Sequence, residues 1–574
     1  MGIKFKSELW RINAYRYFVI TFCLIIISRL FQIQVLNASK YKSQAREQQW
    51  QEYQLPAKRG NIHTSDGYPV ASSEVKYELI LNLKKIGDEI DLYKLLSPYM
   101  DGLDKKIFSD AKAADRTWLT LKNQIDLDTK KEIEDLGIDA FGNGISFREI
   151  YTRYYPEKTM LSHVLGFVGK DDAGINVGYF GIEQYYNGDL NGQLGWLIQE
   201  RSASGDPIIW AGSDRIEPKN GSDIELTIDR YVQYVTESML KDGVERYNAK
   251  SGSVVILDPK TGAVIAMANY PDFNPADYNE AFKDEFTVRN SAISTTYEPG
   301  SVIKGVTMAS AIDLSKVTPQ TIYHDGGPVW FSGYKVDNWD GKHHGDETMI
   351  SVLQHSNNLG AAWVGGQVGG KALMEYFSAF SFGTYTGIDL EGEEKGILYS
   401  HFPLKEIELA NASFGQGISM TPLQVTEAFA TIANKGIAMK PFVVKKIISE
   451  DKTIEINPVI LNRPISESSA ETMVDMLTQA VSGGEAKFFV SKKFKVAGKT
   501  GTAQIAIKGG YDENLTNATF IGFFPTYRNF VMLVRLVEPK FPSGYSSETA
   551  VPLWMRIAEK LASYYSLAPD IKQK

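Results

Sequence analysis

The chain has 574 residues, 43% of them hydrophobic and 23% charged, proportions of a globular protein that exclude a wholly disordered or collagen-like chain. At roughly 150 residues per domain this length suggests three or four domains. Sixty-nine acidic against 61 basic residues give a net charge of −8, which argues against a nucleic-acid binder working through net positive charge, and a single cysteine excludes a disulfide scaffold or a cysteine-based zinc cluster.

Tyr17 to Ser28 (YFVITFCLIIIS) is apolar to weakly polar and follows Lys4, Lys6, Arg11 and Arg16, with Glu8 as the one acid. Twelve residues cannot cross a hydrocarbon core of about 30 Å, but the pattern continues through Leu30, Phe31, Ile33, Val35 and Leu36. The basic residues put this end in the cytoplasm. No A-x-A-like site follows, so an uncleaved single-pass anchor over 12–36, with a cytoplasmic tail over 1–11, is preferred to a cleaved signal peptide. Residues after Leu36 are then extracytoplasmic.

Residues 37–215 are polar and strand-rich, with turn signals at Asp66-Gly67 and Asn191-Gly192 and no nucleophile or metal constellation. After EPKNGSD the pattern predicts a helix over about 229–248, then strands SGSVVILD and AVIAMANY joined by a turn at Pro259 to Gly262. Residues from about 300 to 480 read mostly as helices, including Met420 to Asn434. Strands return in FKVAGKTGTAQ, NATFIGFFP and NFVMLVRLVEP, before a helix near Val551 to Ser566. This order predicts an α+β domain over 216–566 whose first and last segments share an antiparallel sheet, leaving a tail over 567–574.

Three short motifs carry chemistry. In TTYEPGSVIK, Ser301 opens a helix at the positive end of its dipole, and Lys304 lies one turn along the same face, within reach of the hydroxyl. A desolvated lysine there loses its proton more readily and can serve as general base. An N-cap serine with a solvated lysine fits the same residues, and S-x-x-K recurs at Ser39, Ser73, Ser109, Ser238 and Ser449. Ser356-Asn357-Asn358 is the only S-x-N; near-extended backbone would aim Ser356 and Asn358 to one side, although an ordinary cap or turn is the competing reading. In VAGKTGTAQ, Lys499-Thr500-Gly501 lies on a strand with Thr500 and Thr502 on one face, and Gly501 removes bulk so that a substrate backbone can approach. A phosphate loop is disfavoured because Lys493 stands where its first glycine belongs. The other K-T-G, Lys260 to Gly262, sits in the hairpin turn.

The order S-x-x-K, S-x-N, K-T-G, separated by 55 and 143 residues, resembles that of β-lactamases and penicillin-binding proteins. RNSAISTTYEPGSVIK, ASFGQGISMTPLQVTEAFATIANKG and VAGKTGTAQ resemble class B penicillin-binding proteins, and RGNIHTSDGYPVA and YYPEKTMLSHVLGFVG resemble their pedestal motifs. Thr64-Ser65 departs from the Asp-Arg pair more frequent in that family. The resemblance implies a membrane-anchored α+β protein with an elongated strand-rich pedestal over 37–215 and a peptidoglycan D,D-transpeptidase domain that β-lactams acylate. Ser301 would be the nucleophile, Lys304 its base, Ser356 a proton relay and Asn358 a donor-peptide ligand. Lys499 and Thr500 would hold the donor carboxylate, with Gly501 between them and Thr502; the N–H groups of Ser301 and Thr502 would form the oxyanion hole. No cofactor or metal is implied. The implied partner is a polytopic glycosyltransferase of the shape, elongation, division and sporulation family. Some elongation-type relatives carry a cysteine-containing metal site, and Cys23 lies in the anchor, which favours the division type.

Other classes fit less well. A β-lactamase would be a shorter soluble chain, a bifunctional synthase needs more than about 180 residues before this domain, and a β-lactam sensor needs a cytoplasmic output segment. A scaffold without catalysis would not need intact motifs, and no G-x-S-x-G supports a Ser-His-Asp hydrolase. His343-His344, flanked by Asp340 and Asp346, read better as a solvated loop than as metal ligands.

Overall fold

A computed structural model describes residues 4–571 apart from 86–88, 101, 137–143, 173, 201–212, 282–284 and 508–509. By contacts the chain divides into Met1–Lys58 with Gly192–Asn220, and Arg59–Asn191 with Gly221–Lys574. The 37–215 segment therefore contributes to both units. Part of it, 201–212, lies outside the described residues, as does 572–574 of the C-terminal tail.

In the first unit helix α1 spans Lys4–Phe31 and runs into a widened turn, Gln32–Leu36. The stretch Leu9–Leu36 is long and apolar enough to cross a membrane, with mean hydropathy 2.1, and side chains such as Phe18, Ile25 and Ile27 are exposed along it. A helix Ala38–Gln49 follows. Strand Trp50–Leu55 then pairs antiparallel with Gly195–Glu200, which pairs with Ser213–Ile216.

The second unit contains two larger sheets. In one, Pro69–Asn82 pairs with Ile62–His63, Trp118–Ile125 and Ile145–Tyr154. Beyond Ile62–His63 the same sheet continues through a parallel neighbour, Asp223–Leu226, to Val444–Ile448 and Thr453–Glu455. Strands from both sides of the expected boundary at 215/216 thus share one sheet. The fully buried Glu183 carboxylate pairs with both Arg59 and Arg153, each at 2.6 Å, one buried acid shared by two bases. In the Asp66-Gly67 turn the buried Thr64 hydroxyl donates to Asp66 Oδ1 at 2.5 Å, which gives the departure at Thr64 a local use.

The other sheet carries the chemistry. Helix α2, Arg230–Arg246, starts where Asp229 accepts a hydrogen bond from Val232 N at 2.9 Å. Strands β1 (Ser251–Leu257) and β2 (Val264–Tyr270) follow, joined by a turn in which Thr261 Oγ1 donates to Asp258 Oδ2, so Lys260 to Gly262 is turn chemistry. Helices α3 (Lys304–Asp313), α4 (Met349–Gln354), α5 (Asn358–Val368), α6 (Pro422–Ala433) and α7 (Glu467–Gly483) come next. Strands β3 (Ala497–Ile507), β4 (Gly510–Phe523) and β5 (Val531–Val537) and helix α8 (Ala550–Tyr564) complete the fold. The order is β2-β1-β5-β4-β3, antiparallel throughout, and the first and last strands of the region do share a sheet.

Alternation along β1 sorts the two layers. Val254 and Ile256 pack with residues of α2 and α8, whereas Val255 and Leu257 join the core of α3, α6 and α7. Every residue of α6 is buried. The stretch read as mostly helical also holds short strand pairs, Ile322–Asp325 with Gly345–Thr348 and Val329–Phe331 with Tyr334–Val336, too short for a period to register.

Trp554 of α8 is fully buried, stands edge-on to Phe520 and Phe524 at 5.2 and 5.9 Å, and donates its indole N–H to Met532 O at 2.7 Å. Trp554→Ala is expected to cost about 3–5 kcal/mol through the cavity it leaves. Chemical denaturation should show a clearly smaller loss for Trp554→Phe.

Candidate active site

Pro299 and Gly300 turn the chain into a short helical turn, Gly300–Ile303, which runs directly into α3. Ser301 therefore stands at the N-terminal end of that helix, partly exposed, and lines a cleft of about 1170 Å³ with Ser356, Asn358, Thr500 and Thr502. Among the described residues its hydroxyl has no hydrogen-bond partner, so it is free to meet an incoming group.

Lys304, 1% exposed, does not bond Ser301 in this state. Its Nζ donates to Ser356 O at 2.6 Å and to Asn358 Oδ1 at 2.7 Å, with a longer contact to Ser356 Oγ at 3.4 Å. Lys499, 3% exposed, donates to the same Ser356 Oγ at 3.0 Å. The second and third motifs thus meet at one hydroxyl, on which the first motif's lysine also bears.

Ser356 and Asn358 reach this point by a route other than the extended backbone expected. Ser356 has φ +56°, a left-handed conformation rare outside glycine, and Asn358 is the first residue of α5. Asn357, the middle residue of the motif, is its anchor. Its Oδ1 accepts from Gly360 N at 2.7 Å and caps α5, while its Nδ2 donates to Asp325 Oδ2 at 2.7 Å and Glu347 Oε2 at 2.6 Å. Asn338 accepts from Asn358 N at 3.0 Å and donates to Asp325 Oδ2 at 2.8 Å. These partners sit in an irregular polar stretch, where no spacing or period marks them.

Burial dominates the electrostatics. It depresses the Lys304 ammonium well below its ordinary range, and the neighbouring charge of Lys499 pushes the same way. Burial brings Lys499 down to about 8. The ordinary lysine value lies far above neutrality, so a lowered one makes the neutral amine available in the working pH range. Lys304 is the lysine equipped to accept a proton.

The K-T-G strand is β3, the edge of the sheet, with Thr500 and Thr502 on the cleft. Thr502 Oγ1 donates to Ser546 Oγ at 3.0 Å. The need for glycine at 501 is met by the protein itself: a Cβ there would stand 2.9 Å from Pro299 O and 2.9 Å from Val302 Cγ1. The turn bearing Ser301, rather than a substrate backbone, fills the space. Gly415 does the same from the other side, with φ +91° and a Cβ position 2.2 Å from Gly300 O. Glu298, also unflagged by its sequence context, accepts from Gly417 N at 3.0 Å and Tyr511 hydroxyl at 3.1 Å, fastening the turn to this glycine loop and to β4.

His344, Glu347 and His355 offer metal-ligand atoms within 4.8 Å of one another. The imidazoles of His344 and His355 stack at 4.1 Å and 15°, so their lone pairs lie in nearly parallel planes. Glu347 is engaged by His355 Nδ1 and Asn357 Nδ2. His343 pairs with Asp325 at 3.2 Å and does not share this cluster.

Gly501→Ala should slow any covalent reaction of the Ser301 hydroxyl with small and bulky ligands to a similar degree, because the added methyl displaces the serine's turn. Rates measured with both sizes check this; a loss confined to bulky ligands would mean that Gly501 makes room for the ligand.

The sequence profile of the penicillin binding protein transpeptidase domain matches residues 252–559, and that of the penicillin-binding protein dimerisation domain matches 54–226. The chain is 31% identical over 537 residues to stage V sporulation protein D of Bacillus subtilis, covering 92% of this chain and 82% of that protein. It is 27% identical over 573 residues to peptidoglycan D,D-transpeptidase FtsI of Escherichia coli, covering 97% and 93%. The fold is similar to that of penicillin-binding protein 2X from Streptococcus thermophilus, with a TM-score of 0.77 at 21% identity over 90% of this chain and 81% of that one. With its transpeptidase domain, the dimerisation domain before it and one N-terminal helix of membrane-spanning length, the chain belongs to the class B penicillin-binding proteins.

Proposed function

We propose that Ser301 is the nucleophile of a membrane-anchored peptidoglycan D,D-transpeptidase. It attacks the penultimate D-Ala carbonyl of a donor stem peptide, expels the terminal D-Ala and holds an acyl-enzyme until an acceptor amine takes the acyl group. Lys304 takes the proton of Ser301, Ser356 relays a proton to the leaving amine, and Asn358 holds the donor peptide. Lys499 and Thr500 bind the donor carboxylate, Gly501 keeps their strand against the nucleophile, and the N–H groups of Ser301 and Thr502 stabilise the oxyanion. β-Lactams acylate the same serine. The reading requires no metal ion or organic cofactor.

The observation that supports it most directly is the contact of Lys304 and Lys499 with Ser356, beside the free Ser301 hydroxyl. A catalytically silent scaffold has no use for two buried lysines whose hydrogen-bond partners, among the described residues, are neutral oxygens.

The same reading divides the chain into a cytoplasmic tail over 1–11, an anchor over 12–36, a pedestal over 37–215, the transpeptidase domain over 216–566 and a tail over 567–574. The basic residues before the apolar stretch support an N-terminus in the cytoplasm and an extracytoplasmic catalytic domain. A polytopic glycosyltransferase of the shape, elongation, division and sporulation family supplies the glycan strands, meeting this chain through the anchor and pedestal. A division role is preferred to elongation. The 31% identity to a protein named for stage V of sporulation supports a second reading, a role confined to spore formation.

Ser301→Ala should abolish covalent labelling by fluorescent penicillin without changing the melting temperature; retained labelling with the mass shift on another serine would contradict the nucleophile. Lys304→Arg should fail equally, because a guanidinium stays protonated. Depletion should give filaments with blocked septa and a midcell tagged protein. Rounded cells would point to elongation, and normal growth with failed spores to the second reading.

A further inference from the structure

The cleft holds an acidic side chain to which the chemistry above gives no task. Glu485 begins a short helical turn, Glu485–Phe488, directly after α7, and lines the cleft with Ser301, Ser356 and Thr500. Its place is held from behind. A Cβ on Gly484 would lie 2.4 Å from Ala480 O and 2.7 Å from Gln354 O, so the chain passes tightly against the end of α4, two residues before Ser356. Gln354 Nε2 also donates to Gln479 O at 3.1 Å. On its other side α7 packs against β3, the strand of Lys499. Glu485 is thereby fixed next to both elements that bring the lysines together.

Among the described residues, the hydrogen-bond partners of Lys304 and Lys499 are hydroxyl, carbonyl and amide oxygens, with no carboxylate. We propose that Glu485 is a positioning residue of the transpeptidation site, a fixed negative charge that lets the buried lysine pair retain one proton, so that Lys499 stays cationic while Lys304 is neutral. This rests on the roles of base and carboxylate binder given above to Lys304 and Lys499.

The surrounding charges single out Glu485. Burial lowers both lysines, and Glu485 opposes it at both. Across the cleft Lys335 is paired with Asp337 at 2.9 Å, and Glu548 accepts from Ser543 Oγ at 2.5 Å, with Lys540 also on the rim. Behind Ser356, Glu347 is paired with His355, and Lys487 on the same turn as Glu485 points to solvent. Without Glu485, two desolvated ammonium groups face each other uncompensated, and both release their protons at lower pH.

The test is the rate of acylation of the full-length protein in detergent by fluorescent penicillin over about pH 5–10, where a base and a cationic binder give a bell-shaped profile. In Glu485→Gln both limbs should move to lower pH by roughly 0.5–1 unit, the acid limb because Lys304 becomes neutral sooner and the alkaline limb because Lys499 loses its charge sooner. Glu485→Asp, which keeps the charge, should cancel most of the shift. Unmoved limbs in Glu485→Gln, or a uniform loss of rate at every pH, would overturn the proposal. Lys304→Arg separates the two layers of argument. If it acylates normally, the base role falls and this proposal with it; if it is inactive while the Glu485→Gln profile is unmoved, only the proposal for Glu485 falls.

Discussion

Two lysine side chains converge on Ser356 in the interior, and among the described residues neither donates a hydrogen bond to a carboxylate there. Removing an ammonium group from water without an opposite charge is costly, and the cost falls when the group gives up its proton. Lys304 and Lys499 are 1% and 3% exposed, and the oxygens that receive their hydrogen bonds are neutral. At Lys304 the fold therefore favours the neutral amine, a state that an exposed lysine would not adopt near neutrality. The nearby polar architecture serves to hold the oxygens where they are. Ser356 adopts a left-handed backbone while its carbonyl meets Lys304, and Asn357 is pinned by Asp325, Glu347 and the first turn of α5.

Ser301, the proposed nucleophile, is held by packing of a different kind. Its turn is pressed between Gly415 and Gly501, where the absence of a side chain lets backbone meet backbone, and Glu298 ties the turn to the loop at Gly417. In the proposed chemistry such a site needs little rearrangement when charge develops on a bound carbonyl, because the turn and the N-terminal end of α3 are already in place. Helix α6, buried along its whole length, packs between the sheet and α7 and leaves little room for this layer to shift.

The pedestal segment 59–191 belongs to the same contact unit as the catalytic part. Asp223–Leu226 joins the pedestal strands on one edge to Val444–Ile448 on the other, so a single hydrogen-bonded sheet runs through both regions. The buried Glu183 holds two arginines on the pedestal side of that connection, and removing this carboxylate would leave two buried guanidinium groups without their common counter-charge.

The three motifs from which the proposed site is built were legible in the sequence because each is local: a serine and a lysine one helical turn apart, an S-x-N, and a K-T-G on a strand. Residues 229–248, the β1–β2 hairpin and the terminal strands were likewise readable, since each carries its own period or turn. Tertiary structure alone decided how the motifs meet. The left-handed Ser356, the anchoring by Asn357, the contact that makes Gly501 necessary and the sheet shared across 215/216 depend on partners tens to hundreds of residues away, and such pairings leave no periodic trace in a chain. The proton preference of Lys304 belongs to the same category: the sequence supplies the amine, but only burial beside a second lysine lowers its hold on a proton.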